Sequence, residues 1–262
     1  MFTHRMSLFS MLLLMACTVR APFPSGELVD LSYAFDEATI FWPTEEGFVL
    51  EQGPAGMTEQ GYYYAANRFR MAEHGGTHID APIHFSERGL TVDQIPLGQL
   101  MGPAVVVDVS AMCAANRDYQ VQVVDFMQWE AAHGSIPQGT IVLLRTGFGR
   151  FWPHRERYMG TAMRGPEAVP LLHFPGLHPA AAQWLVEERG MKAVGLDTPS
   201  IDYGQSTGFE SHVTLFQANV PAFENLANLD RLPATGFFVV ALPMKIRGGS
   251  GAPLRVVAVL PD

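Results

Sequence analysis

Apolar and polar positions along this chain follow two periods. Over 27–35, Leu28, Asp30 and Ser32 alternate with Val29, Leu31 and Tyr33, a period of two that predicts a strand. Short, mostly apolar runs at 104–109 (AVVVDV), 140–146 (TIVLLRT), 193–197 (AVGLD), 237–243 (FFVVALP) and 255–260 (RVVAVL) predict further strands, several of them buried. Helical spacing predicts helices over 124–133, followed by Gly134, and over 179–189, opened by Pro179 and closed by Gly190. The stretch 62–71 (YYYAANRFRM) is β-prone, and 39–43 (TIFWP) ends in a proline that holds Trp42 extended. Strand and helix alternate only in the middle, strands dominate both ends, and neither a repeat nor a linker divides the chain. The pattern predicts an α/β fold, a single domain with a mixed β-sheet rather than a doubly wound parallel one.

The first residues follow neither period. A short basic start reaches Arg5, an apolar run fills 6–15 (MSLFSMLLLM), and Ala16, Cys17 and Thr18 are small. This is the layout of a secretory signal, too short for the roughly 20 apolar residues of a spanning helix. Leu14-Met15-Ala16-Cys17 is similar to a lipobox, which makes Cys17 a candidate lipid anchor; otherwise cleavage falls near Ala21. The expected organisation is a secretory or lipoprotein signal over 1–21 and one domain over 22–262, exported to the periplasm.

Composition narrows the function classes. Of 262 residues, 48% are hydrophobic and 16% charged, which excludes disorder. The formal net charge of −9, with no basic stripe, argues against nucleic-acid binding. Removing 1–21 takes away Arg5 and Arg20 and no acid, so the remaining domain is more acidic still. Cleavage at Ala21 would leave Cys113 as the one cysteine, so no disulfide framework supports the fold. There is no phosphate loop; Gly248-Gly249-Ser250-Gly251 lacks the strand-to-helix setting and reads as a turn. No Gly-x-Ser-x-Gly elbow is present.

The chemistry concentrates in 73–85, EHGGTHIDAPIHF, where His74, His78, Asp80 and His84 all occupy even positions. On an extended chain 74, 76, 78 and 80 face one way, with Gly76 leaving room for an ion or a close backbone. Two imidazoles and a carboxylate form the three-ligand set of a catalytic divalent site. Pro82 turns the chain, so His84 can face the cluster from the side.

This segment resembles the His-x-Gly-Thr-His-x-Asp-x-Pro-x-His signature of the metal-dependent cyclase-like hydrolases, the family of isatin hydrolase and bacterial kynurenine formamidase. Further similar stretches are VDLS (29–32), FWPT (41–44), LLRTGF (143–148), GLDTPSID (195–202), ENLANLD (224–230) and ALPMKIRGGSGAPLR (241–255). The resemblance implies a swivelling β/β/α fold, a homodimer, and Mn²⁺ or Zn²⁺ as cofactor. It implies His74, His78 and Asp80 as ligands of one ion and, in the formamidase branch, a second ion held by Asp80, His212 and Glu224. In the isatin hydrolase branch one ion suffices, with His84 and His212 acting around the substrate. The YYYAAN stretch ahead of the motif looks closer to that branch.

A divalent cation lowers the pKa of bound water from 15.7 to about 7, so the expected reaction is hydrolysis of the cyclic amide of isatin by metal-bound hydroxide, or alternatively of N-formylkynurenine. Proton transfer is expected from His84 first and His212 second. Trp42, in an irregular segment, is the expected substrate wall, while Phe41 and Tyr62–Tyr64 are expected mostly in the core. Arg145 is either a substrate anchor or half of a structural ion pair. His133, His154, His173 and His178 are isolated, with His178 expected to cap a helix, and Cys113 is expected to be buried and inert. The competing class is a periplasmic metal- or ligand-binding protein without turnover, against which His84 beside an open three-ligand set argues.

Overall fold

The apolar runs find one another in a single closing sheet. The computed structural model describes residues 25–261, so the signal expected over 1–21, with Cys17, lies outside the described residues. In chain order the strands are β1 (Gly26–Asp30), β2 (Val49–Glu51), β3 (Ala55–Met57), β4 (Tyr63–Ala65), β5 (Arg68–Arg70), β6 (His78–Asp80), β7 (Met101–Asp108), β8 (Gln120–Val121), β9 (Ile141–Arg145), β10 (Gly176–Leu177), β11 (Ala193–Leu196), β12 (Ala222–Glu224), β13 (Phe237–Pro243) and β14 (Gly251–Pro261). The α-helices are α1 (Leu97–Leu100), α2 (Ser110–Ala115), α3 (Val123–His133), α4 (Arg155–Met159), α5 (Pro179–Trp184) and α6 (Glu210–Gln217).

Strands β7, β9, β11 and β12 run parallel, and this is where strand and helix alternate in sequence. The flanks are antiparallel: β13 joins β7, β14 joins β13, and β1 joins β14. Strand β14 is long enough to serve twice. Its later part pairs with β13, while Gly251–Pro253 pairs with β6, which in turn pairs with β12. Seven strands therefore close into a barrel-like ring, with β1 attached outside, and closure covers edges that would otherwise invite aggregation. This is the mixed α/β single-domain architecture expected.

The central strands read as continuous apolar runs because both faces are buried. Val105, Val107, Val142 and Leu144 enter one core, under α3, α5 and α6. Ala104, Val106, Ile141 and Leu143 enter a second core on the opposite face. Each such leucine or valine contributes roughly 1.5–3 kcal/mol by leaving water.

Three local expectations need correction. Strand β1 stops at Asp30 rather than running to 35, because the Asp30 carboxylate accepts the Ser32 N–H and turns the chain. The stretch 62–71 forms two short strands, pairing β4 with β3 and β5 with β2 in a narrow arm. Tyr62, Tyr63 and Tyr64 are therefore exposed and not in the core, since a two-stranded ribbon has no second layer to bury them. Past Trp184 the helix over 179–189 widens into a π-helical turn, Leu185–Arg189, and Gly190 ends it at φ +53. His178 caps α5, its Nδ1 accepting the Ala180 N–H.

Candidate active site

Residues 74–80 do not form the continuous extended row expected. Gly76 takes a left-handed backbone, φ +58, and only His78–Asp80 is strand. A side chain at Gly75 would strike the Phe41 ring and one at Gly76 the Phe35 ring, with Cβ contacts of 2.1 and 2.4 Å. This glycine turn folds His74 back over β6, where Asp80 Oδ1 lies 2.7 Å from His74 Nδ1 and 3.1 Å from His78 Nε2.

Two distant elements complete the cluster. Strand β12 sets Glu224 opposite His78 in register, and its Oε2 lies 3.5 Å from His78 Nε2. Helix α6 places His212 Nε2 at 3.2 Å from Asp80 Oδ2 and 3.3 Å from Glu224 Oε1. Asp80 thus belongs to two groups, His74/His78/Asp80 and Asp80/His212/Glu224, each with its donor atoms within 4.8 Å of one another.

Partners on the far side of the rings set the orientation of two histidines. His78 Nδ1–H donates to the Gly76 carbonyl at 3.0 Å, an oxygen that also accepts from Asn225 Nδ2. His212 Nδ1–H donates to Asp202 Oδ2 at 2.6 Å. Asp202 accepts the backbone N–H groups of Ser211 and His212 as well, so it anchors the start of α6 and the ring together. Both rings therefore turn Nε2 toward the carboxylates, where it donates while protonated and presents the lone pair a metal ligand requires once that proton is lost.

Electrostatics agree with that donor set. Burial and the neighbouring Asp80 raise the Glu224 carboxyl above its ordinary range. Burial also works upward on Asp80, but the charge on His74 and hydrogen bonds from His212, His74 and His78 outweigh it and hold Asp80 well below the usual range. His78 and His212 are raised despite burial, chiefly through hydrogen bonds to Asp80 and to Asp202 respectively. Two buried carboxylates draw in positive charge, supplied by protons where no cation is bound. Imidazole nitrogen with carboxylate oxygen suits a divalent ion, so the residues fit the metal that the segment implies.

The cluster opens on a cavity of about 310 Å³ whose walls include Phe41, Trp42, Phe85 and Phe209. That volume lies at the small end of ligand sites, about 300–1,000 Å³. His84 stands at its mouth, its ring stacked on His74 with centroids 3.9 Å apart. Loss of hydration in this crowded site pushes the His84 imidazole below its ordinary pKa, with His74, His212 and His78 adding to the effect and Asp80 opposing it. The open face of His84 toward solvent limits that shift. Trp42 lines the cavity as expected, and Phe41 is both buried and a wall.

Sequence reading passed over Phe85, Phe209 and Asp202 as site residues. Phe85 directly follows His84 and Asp202 closes GLDTPSID, so both lay within reach of a motif. Phe209, at φ +48 before α6, carries no such signal. Arg145 stays outside: it pairs with Asp108 at 3.1 Å and does not line this cavity. His173 pairs with Asp118.

A barrel-like mixed sheet, with buried histidines and carboxylates at the floor of a small aromatic cavity, defines a metal-dependent hydrolase. The chain belongs to the Cyclase family, whose model, described as "Putative cyclase", matches residues 29–203. Isatin hydrolase of Roseibium aggregatum is 33% identical over 210 residues, 77% of each chain. Kynurenine formamidase of Salinibacter ruber is 31% identical over 230 residues, 88% of this chain and 96% of that one. The solved structure of isatin hydrolase A from Labrenzia aggregata, bound to benzyl benzoate, superposes with a TM-score of 0.80 at 33% identity, covering 90% of this chain and 94% of that one.

Proposed function

We propose that this enzyme hydrolyses the cyclic amide of isatin, and that the aromatic walls facing the His/Asp/Glu cluster carry the reading. Trp42, Phe85 and Phe209 suit a flat, fused-ring substrate, and Trp42 and Phe209 meet edge to face with centroids 6.4 Å apart. The resemblance to isatin hydrolases in sequence and structure supports the same substrate.

A divalent cation, Mn²⁺ or Zn²⁺, would be held by His74, His78 and Asp80 and would supply Lewis acidity, which polarises the carbonyl and makes water easier to deprotonate near neutral pH. The protein's own groups account for the remainder. Trp42, Phe85 and Phe209 fix the ring plane and exclude water from it. The ring nitrogens of His84 have no hydrogen-bond partner among the described residues, so its imidazole is free to take the proton from the attacking water. It then returns that proton to the departing nitrogen. The amide C–N bond breaks, a C–O bond forms, and an aryl amine and a carboxylic acid result, the acid releasing its remaining proton to solvent as it ionises. Asp202 keeps the His212 ring aimed at the same centre.

One observation favours a second reading, aryl formamide hydrolysis as in kynurenine formamidases. Glu224 stands beside Asp80 and His212, completing the second ligand group that the formamidase branch implies. Rates on isatin and on N-formylkynurenine, with metal analysis of the same sample, separate the two. Activity on N-formylkynurenine with none on isatin reverses the order. Asp80→Ala should lose bound metal and activity together, and a full metal complement in that variant overturns the ligand assignment.

Export to the periplasm, by a signal or a Cys17 lipid anchor, is part of the same proposal and rests on the apolar run at 6–15. A homodimer is proposed as well. Met57, Tyr63, Tyr64 and Phe69 leave an apolar arm exposed on the single chain, a surface that a second copy would cover.

A further inference from the structure

The turn at Gly249-Ser250-Gly251 lies against the site. We propose that Ser250 and Glu73 are positioning residues that hold His74 with its Nδ1 lone pair toward the ion. This rests on the reading of His74 as a metal ligand.

Glu73 Oε2 accepts from the Ser250 N–H at 2.9 Å, the Gly251 N–H at 3.2 Å and the Ser250 hydroxyl at 2.7 Å. Backbone N–H groups only donate, so this oxygen is an acceptor, and the single hydrogen of the Ser250 hydroxyl points to it. Only lone pairs of Ser250 Oγ remain for His74 Nε2, 2.9 Å away. Nε2 therefore carries a hydrogen, and Nδ1, 2.7 Å from Asp80 Oδ1, is the nitrogen that gives up its own hydrogen to Asp80's side of the cluster and presents a lone pair when an ion binds. His74 thus offers the nitrogen opposite to the one that His78 and His212 offer. An unrestrained imidazole has both tautomers available; the Glu73–Ser250 relay selects one.

The flanking glycines are required for this relay. A Cβ at Gly251 would lie 2.5 Å from His74 Cε1, and one at Gly249 would lie 3.0 Å from Glu73 Oε1. Only a residue bare on both sides brings a hydroxyl between glutamate and imidazole. The Ala81 N–H donates to the Ser250 carbonyl at 2.8 Å, fastening the segment to the residue that follows Asp80. The hydroxyl and the ligands thus share one frame.

The test is titration of purified protein with Mn²⁺ or Zn²⁺ alone, in competition with a chelator, alongside melting curves. Ser250→Ala should weaken binding about 10–100-fold, the range for losing a hydrogen-bond partner behind a ligand. Its ion-free melting temperature should stay within a few degrees of wild type, and Ser250→Thr should restore binding. Glu73→Gln keeps an acceptor oxygen for the same three donors and should bind like wild type, whereas Glu73→Ala frees the hydroxyl hydrogen to turn toward His74 and should weaken binding. Long-range ¹H–¹⁵N spectra of the Zn²⁺-loaded wild type should place the His74 hydrogen on Nε2, a signature that a merely structural role would not determine. Wild-type affinity in Ser250→Ala, or a His74 hydrogen on Nδ1, overturns this proposal alone. Wild-type protein that binds neither ion overturns it together with the metal reading.

Discussion

Replacing Gly251 by alanine puts the packing of the site to a quantitative test. The added Cβ would lie 2.5 Å from His74 Cε1, 2.9 Å from His74 Nδ1 and 2.8 Å from the Ile79 carbonyl oxygen. Non-bonded carbons sit at about 3.5–4.0 Å, so one partner must yield by about 1 Å. The Ile79 carbonyl is the stiffer, because β6 is hydrogen-bonded on both sides, to β14 and β12. His74 moves instead, and its retreat is resisted by the His84 ring stacked at 3.9 Å. A displacement near 1 Å at a reacting centre costs about 100-fold in rate. Overpacking of this kind costs about 1–3 kcal/mol, a fall of roughly 2–12 °C in melting temperature for a domain of this size. The assay is kcat on isatin with Mn²⁺-loaded protein, together with metal content and melting temperature. Gly236→Ala is the control: Gly236 has φ +84 with nothing within 4 Å of an added Cβ. It should lose about 1 kcal/mol through backbone strain and keep its activity. Wild-type kcat and metal content in Gly251→Ala, or an equal loss of rate in Gly236→Ala, refutes the reasoning.

Other outcomes follow from single side chains. His84→Gln should lower kcat about 10²–10⁴-fold while metal content stays as in wild type, and an unchanged rate removes His84 from proton transfer. Saturation with Mn²⁺ at about 100 times its dissociation constant should stabilise the folded state by about 2.7 kcal/mol, raising the melting temperature by roughly 5–10 °C; a curve insensitive to both Mn²⁺ and EDTA contradicts the ion site. Burial, with Asp197, Asp125 and Asp108 nearby, pushes the Cys113 thiol up to about 12. At pH 8 it is protonated in the folded state, so iodoacetamide should label it slowly in buffer and quickly in urea. Rapid labelling of native protein would show the site open.

What was legible in the sequence depended on how far apart the cooperating residues lie. His74, His78 and Asp80 are read from one segment because a single glycine turn and three strand residues bring them together. The central strands are read from apolar runs because burial on both faces makes nearly every position apolar, and the shortness and β-branched residues of those runs set them apart from a buried helix. The arm at 49–70 misleads for the opposite reason: its aromatic residues look like a core strand, and only the missing second layer shows that they are exposed. His212 and Glu224 entered through resemblance alone, and the structure shows why no local pattern carries them. Glu224 reaches His78 only through the antiparallel register of β12 against β6, and β6 is itself held by the first residues of β14. Successive strand residues face opposite ways, so a slip of one position in that pairing would turn Glu224 away from Asp80. Closure of the barrel and assembly of the second ligand group are therefore the same event, and β14, which pairs with β6 just past Ser250, takes part in both.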